Sequence, residues 1–296
     1  MHLPGHDRHA YSPIDRRRPY DWPGDRRLAF YIGLNLEHFA FGEGLGSELV
    51  PIAGQPDVLN YSWRDYGNRV GVWRLIELFE ELGLPCTALM NSTIYPYAPE
   101  IPAAFRARGD EIAAHGRSNS ERQGALEEDA ERALIAETTE VIAAAEGAPP
   151  RGWLGPWISQ SAVTPDLLHE AGYRYLLDWC HDDQPVWMRT RRGRILAVPY
   201  PQELNDIPWI VRRSLDAGGF ADMIVDQCDE MLRQCEAQPL VLGLALHTFV
   251  MGQPFRLKHL RRALRHVLAA GGGRLWATTA GAIADHALAL PEGTVA

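Results

Sequence analysis

Residues 71–91, GVWRLIELFEELGLPCTALMN, carry two periodicities in succession, and the change between them decides the fold. From Gly71 to Leu82 apolar side chains recur at helical spacing. Gly83 and Pro85 stop that pattern, and CTALMN (86–91) reads as a short buried strand. Upstream, LAFYIGL (28–34) is a strand candidate. Downstream, the helix candidate EIPAAFRARG (100–109) precedes DEIAAH (110–115), and ALEEDAERALIAETTEVIAAAEG (125–147) is a long amphipathic helix closed by glycine. GWLGP (152–156), RYLLDW (174–179), LVLGLAL (240–246) and LWATT (275–279) continue the strand series, with helical stretches between them.

Strand alternating with helix implies parallel strands joined by helical crossovers. About seven such units without a linker predict the α/β class and one distorted (β/α) barrel of about seven parallel strands over residues 28–296. Residues 184–210, rich in Pro, Trp and Arg, read as an irregular or hairpin insertion. Residues 1–27 hold four prolines and many charges without periodicity. They are expected to form an extended arm over the barrel or over a neighbouring subunit, and a homo-oligomer is expected.

Composition narrows the partners. With 29 Lys and Arg against 38 Asp and Glu the formal net charge is −9, which argues against nucleic acid or an anionic membrane surface. The first residues lack the apolar centre of a signal peptide and no apolar run is long enough to span a bilayer, so a cytoplasmic protein with a small-molecule substrate is expected. Cys86, Cys180, Cys228 and Cys235 have no zinc-finger spacing and read as thiols in a reducing compartment; a catalytic thiol at Cys180 is the minor alternative.

In α/β barrels the chemistry sits where strands end. Asn35, Glu37 and His38, then His115, then Arg151 and Trp153, then Asp178 and His181, then His247 all stand at or just past strand candidates. Any one of these histidines could be a packing residue. Five strand ends bearing such groups are hard to explain as core filling, because each buried polar group needs a partner.

Taken in order, WPGDRRLAFYIGLNLEHF, EIAAHGRSNSE, RGWLGPW, VPYPQELNDIP and LHTFVMGQPFR resemble the motifs of the polysaccharide deacetylase superfamily (NodB homology, carbohydrate esterase family four). They are most similar to its cofactor-independent, allantoinase-like branch. The resemblance implies a NodB-like barrel and hydrolysis of a non-peptide amide C–N bond, first on a small cyclic amide or ureide. An intracellular N-acetyl sugar deacetylase, or a barrel that binds without turnover, are the alternatives.

Metal-dependent members have an Asp pair where this chain has Asn35 and Glu37, and a second histidine where it has Asn119. Glu37 and His115 are therefore weak metal candidates, with His38 a poor third because adjacent strand residues aim apart. No cofactor is expected; a divalent metal such as zinc is the alternative. Glu37, in a pocket walled by Trp153, Trp157 and Trp179, would be a general base with its pKa raised by desolvation. His247 would protonate the leaving nitrogen or polarise the carbonyl, and His115 would donate to the oxyanion or hold the water. Asp178 and Arg151 would form a positioning pair. Asn35, His38, Asn119, Trp153, Glu203, Asn205, Asp206 and Arg256 are assigned to substrate binding. A polar turn before Pro208 is an equal reading for Glu203, Asn205 and Asp206, and a solvent-facing helix start is the alternative for Arg256.

Overall fold

In the computed structural model, which describes residues 3–52 and 54–296, the first strand is buried along its whole length. Its alternation does the sorting. Leu28, Phe30, Ile32, Leu34 and Leu36 enter a helix-covered core, while Ala29 and Tyr31 enter a second core inside the curl of the sheet. By the same parity Asn35 and Glu37 follow them inward.

Nine strands occur among the described residues: β1 (Leu28–Leu36), β2 (Thr87–Met90), β3 (Glu111–Ala114), β4 (Gly152–Trp153), β5 (Tyr175–Leu176), β6 (Val186–Thr190), β7 (Gly193–Ala197), β8 (Leu240–His247) and β9 (Leu275–Thr278). They form one sheet in the order β6-β7-β5-β4-β3-β2-β1-β8. One edge of β1 pairs with β8 throughout; the other holds β9 beside residues 28–31 and β2 beside residues 33–36. Every pairing is parallel except the β6–β7 hairpin, which is what the Pro-, Trp- and Arg-rich stretch forms. The sheet curls into a distorted barrel with a seam between its edge strands β6 and β8. Residues 198–206 span that seam, where Ala245 donates its N–H to the Leu204 carbonyl (2.9 Å) and Asn205 bridges Ala245. Gly243 faces this strap, and a Cβ there would stand 2.8 Å from Pro201 Cδ.

The residues before β1 fold onto the N-terminal end of the barrel. Trp22 and Arg26 exchange backbone hydrogen bonds (2.9 and 3.2 Å), and the Trp22 ring, 1% exposed, donates its Nε1–H to the Leu240 carbonyl at the start of β8. Arg8 and Arg17 hold the rest of the arm through Asp166 (2.6 Å) and Asp182 (2.5 Å). Below the inner core, the buried Glu111 carboxylate accepts from Tyr175, Thr87 and the Gly281 N–H, so the floor is satisfied without a cation.

Trp22→Ala is expected to remove ~3–5 kcal/mol of unfolding free energy, the usual cost of deleting a buried indole. Denaturant unfolding checks it; a loss below ~1 kcal/mol would mean that the arm is not part of the folded core.

Candidate active site

Inward parity brings three side chains together from distant sequence. Asn35 and His247 are direct partners in the β1–β8 register, and Glu37 lies two residues beyond Asn35. His115 follows β3 on the same inner side as Ala113. Glu37 Oε1 stands 3.6 Å from His115 Nε2 and 3.5 Å from His247 Nε2, all buried.

Each imidazole is oriented from behind. His247 Nδ1–H donates to Asp206 Oδ1 (2.6 Å), and the other oxygen of Asp206 accepts the His247 backbone N–H (2.8 Å). His115 Nδ1–H donates to the Leu154 carbonyl (2.8 Å), which leaves Nε2 as the acceptor in the neutral ring. His115 Nε2 and Glu37 Oε2 are buried without a partner.

The charges are strongly coupled. Burial alone would raise Glu37, but the His247 charge and contact outweigh it and hold the carboxyl at about 2. Burial would likewise lower His247, yet Asp206 and Glu37 push it up to about 10. This corrects the expectation of a Glu37 raised by desolvation: an imidazolium sits between two carboxylates, and its field exceeds the desolvation effect.

Asn119 takes the place of a ligand and turns its donor inward. The His38 N–H fixes Asn91 Oδ1 (2.8 Å), so Asn91 Nδ2 must face the His115 carbonyl and Asn119 Oδ1 (3.0 Å). The Asn119 amide therefore presents its NH2 to Glu37 Oε1. Among the described residues no group of three His, Cys, Asp or Glu is placed to hold a metal ion. Glu37 and His115 beside the Asn119 amide are two such ligands, where zinc usually takes three or four.

A pocket of about 140 Å³ meets this cluster at His247 and is lined also by Asn35, Leu154, Trp157, Tyr200 and Asn205, with Ser47 and Arg212 contributing. Trp157 (φ 63°) and Ile158 (φ 53°) are both left-handed, a strained pair that aims two apolar side chains into the pocket. Trp157 Nε1–H donates to the Asn119 carbonyl (3.0 Å). A larger, more open cleft of about 670 Å³ lies along the seam; it has no imidazole in its lining, so the chemistry belongs to the smaller pocket.

Several assignments need correction. Arg151 precedes β4 instead of following it, lies exposed at the opposite end, and pairs with Asp285 (2.6 Å), not Asp178. Asp178 instead accepts the Gly155 N–H (2.7 Å), and burial pushes it up to about 7. Trp153 has outward parity, donates to Gln123 (3.1 Å) and packs on Tyr173, away from the pocket. Trp179 packs against His6, His9 and His181 of the outer surface. His38 stacks on Tyr97 (4.3 Å) and turns from Glu37. Glu203 is exposed on the seam cleft, Asp206 is engaged by His247, and Arg256 donates to the Val250 carbonyl (3.2 Å) outside the pocket lining. Among the proposed substrate-binding residues, Asn35 and Asn205 do line the pocket. Tyr200, which accepts from Asn35 (2.9 Å), was missed by sequence reasoning; its place just past the end of β7, in AVPY (197–200), was the available signal.

Comparison with known proteins finds relatives of this fold. Residues 61–176 match the polysaccharide deacetylase family. A peptidoglycan deacetylase of Helicobacter pylori is 25% identical over 72% of this chain and 82% of its own. The crystal structure of PuuE allantoinase superposes with a TM-score of 0.80 at 26% identity, covering 94% of each chain. That of a "probable polysaccharide deacetylase" from Pseudomonas aeruginosa PAO1 gives 0.79 at 28%, covering 93% of this chain and 94% of the other. Fold and site thus define a hydrolase acting on amide C–N bonds. Over residues 61–176 the chain is similar to the polysaccharide deacetylase, or NodB-homology, domain.

Zinc should bind weakly. Calorimetric titration of the purified protein should give a zinc affinity that rises at least ~tenfold in Asn119→His, which restores a ring nitrogen beside Glu37 and His115. A wild-type protein that holds one zinc per chain through chelation would overturn this account of the donor set.

Proposed function

We propose that this chain opens a small cyclic amide or ureide by hydrolysing its C–N bond without a resident metal, in a cytoplasmic setting. The observation that carries the reading is the pair of buried, unpartnered acceptors, Glu37 Oε2 and His115 Nε2, beside a protonated His247. A water donates one hydrogen to each acceptor and is aimed at a carbonyl carbon. This replaces the oxyanion-donor role for His115, whose neutral tautomer has no hydrogen on Nε2.

As the water oxygen bonds to the carbonyl carbon, Glu37 takes its proton. The positive His247 edge and the Asn205 amide face the pocket where the oxyanion develops. Collapse breaks the C–N bond, and His247 transfers its Nε2 proton to the departing nitrogen; the proton on Glu37 then returns to His247. Both groups are in the required state between about 2 and about 10, because Glu37 ionises above the first and His247 loses its proton above the second.

Size supports a ring over a sugar chain. About 140 Å³ is close to the ~150 Å³ cavity that accommodates a benzene ring. The superposition on PuuE allantoinase over 94% of each chain adds to that reading. The likeness to a peptidoglycan deacetylase keeps N-acetyl sugars as the second candidate.

Assay of a panel of hydantoins, cyclic ureides and N-acetyl sugars separates them. Turnover is expected on the cyclic ureides. Glu37→Gln and His247→Ala should each lower kcat/KM by roughly two to four powers of ten, the usual contribution of a positioned base or acid, measured on protein that circular dichroism shows to be folded. Turnover confined to N-acetyl sugars, or ligand binding without turnover, would overturn the proposal.

A further inference from the structure

We propose that the pocket selects rings bearing a carboxylate substituent, and that Arg212 at its mouth is the residue that recognises the charge; this rests on the ring-opening reading above. Two residues of the lining carry charge at neutral pH, His247 and Arg212, and both are cations. No carboxylate stands in the lining. His247 is buried and Arg212 is exposed, so the pocket runs from a cation at its base to a cation at its rim. With a formal net charge of −9 the chain as a whole repels anions, and this local excess of positive charge is what admits one.

The strap that orients His247 also places Arg212. Asp206, which accepts from His247, opens the turn Ile207–Arg212, and the Ile207 N–H donates to Asn205 Oδ1 (3.1 Å). That bond leaves the Asn205 amide nitrogen for the reacting carbonyl. Among the described residues the Arg212 guanidinium has no hydrogen-bond or ionic partner. Its neighbour Arg213 is differently placed, over the Trp209 ring (4.7 Å).

A second donor waits in the same lining. Gln202 Nε2 is buried without a partner, a state that costs free energy until an acceptor arrives. Glu48, next to Ser47, lies outside the lining, and its charge acts on Arg64. A guanidinium presents a planar fork of N–H donors that matches the two oxygens of a carboxylate. The substrate class is therefore a cyclic amide or ureide with a carboxylate on a short link to the ring: the ring lies against Trp157 and Leu154, and the carboxylate meets Arg212.

Hydantoin-5-acetate and hydantoin-5-acetamide, which share a shape and differ in charge, test this on the full chain. Initial rates should give a kcat/KM at least ~tenfold higher for the acetate, with the difference in KM. Arg212→Gln should bring the two within about threefold of each other. Arg212→Lys, which keeps the charge without the fork, should retain part of the preference. Calorimetry on Glu37→Gln makes the same comparison without turnover, and there too the acetate should bind at least ~tenfold more tightly. Hydrolysis of neither ring would overturn the ring-opening reading, while the binding ratio would still decide the role of Arg212. Should Arg212→Gln fail to fold, the two ligands on protein with Arg212 in place decide. An acetamide that equals or exceeds the acetate, or a preference that Arg212→Gln leaves unchanged, would overturn the proposal.

Discussion

The buried ion triad of Glu37, His247 and Asp206 is the constraint on which the rest of the structure depends. Removing a charge from water costs several kcal/mol unless an opposite charge and hydrogen bonds replace the solvent. Here Asp206 accepts two hydrogens from a single residue, His247, and the imidazolium so held faces Glu37 at 3.5 Å. Each member comes from a different part of the chain: Glu37 from the end of β1, His247 from the end of β8, and Asp206 from the strap across the seam. Pairing of β1 with β8 over residues 28–35 and 240–247 sets the separation of the first two. The seam strap must then cross at one height to deliver the third, and Gly243 is the residue that lets it pass so close to β8.

The same constraint explains what the site does with Asn119. Where the family's metal-dependent members have a histidine, this chain has an amide whose NH2 neutralises part of the demand of Glu37 for donors. In the proposed reaction, positive charge for the developing oxyanion comes from an imidazolium that the protein makes by arranging carboxylates around it. Around this centre Trp157 and Ile158, held left-handed, narrow the pocket to the size of a single ring.

Much of this was legible in the sequence because barrels repeat. The alternation of helix and strand gives the α/β class, and the strand ends point to Glu37, His115 and His247 as one group. The errors have physical causes. β4 is only two residues long, so Arg151 falls before the strand and Trp153 takes the outward phase; a shift of one residue in a strand reverses the face. The direction of the Glu37 shift depends on His247, and the partner of His247 is Asp206 on an irregular strap whose path periodicity cannot specify. Asp206 consequently looked like a substrate-binding residue. The orientation of the Asn119 amide is set by Asn91 and the backbone of His38, a relay visible only in three dimensions.

The most direct test of the triad is the protonation state of His247, followed by nitrogen-15 NMR of the imidazole rings across a pH titration with His247→Gln as the assignment control. The ring should keep both protons until the pH approaches about 10. In Asp206→Asn, which removes the foremost influence raising it, deprotonation should move to lower pH, toward the ordinary ~6.5 of histidine. A His247 that titrates near 6.5 in the unmodified protein, unaffected by Asp206→Asn, would contradict the account.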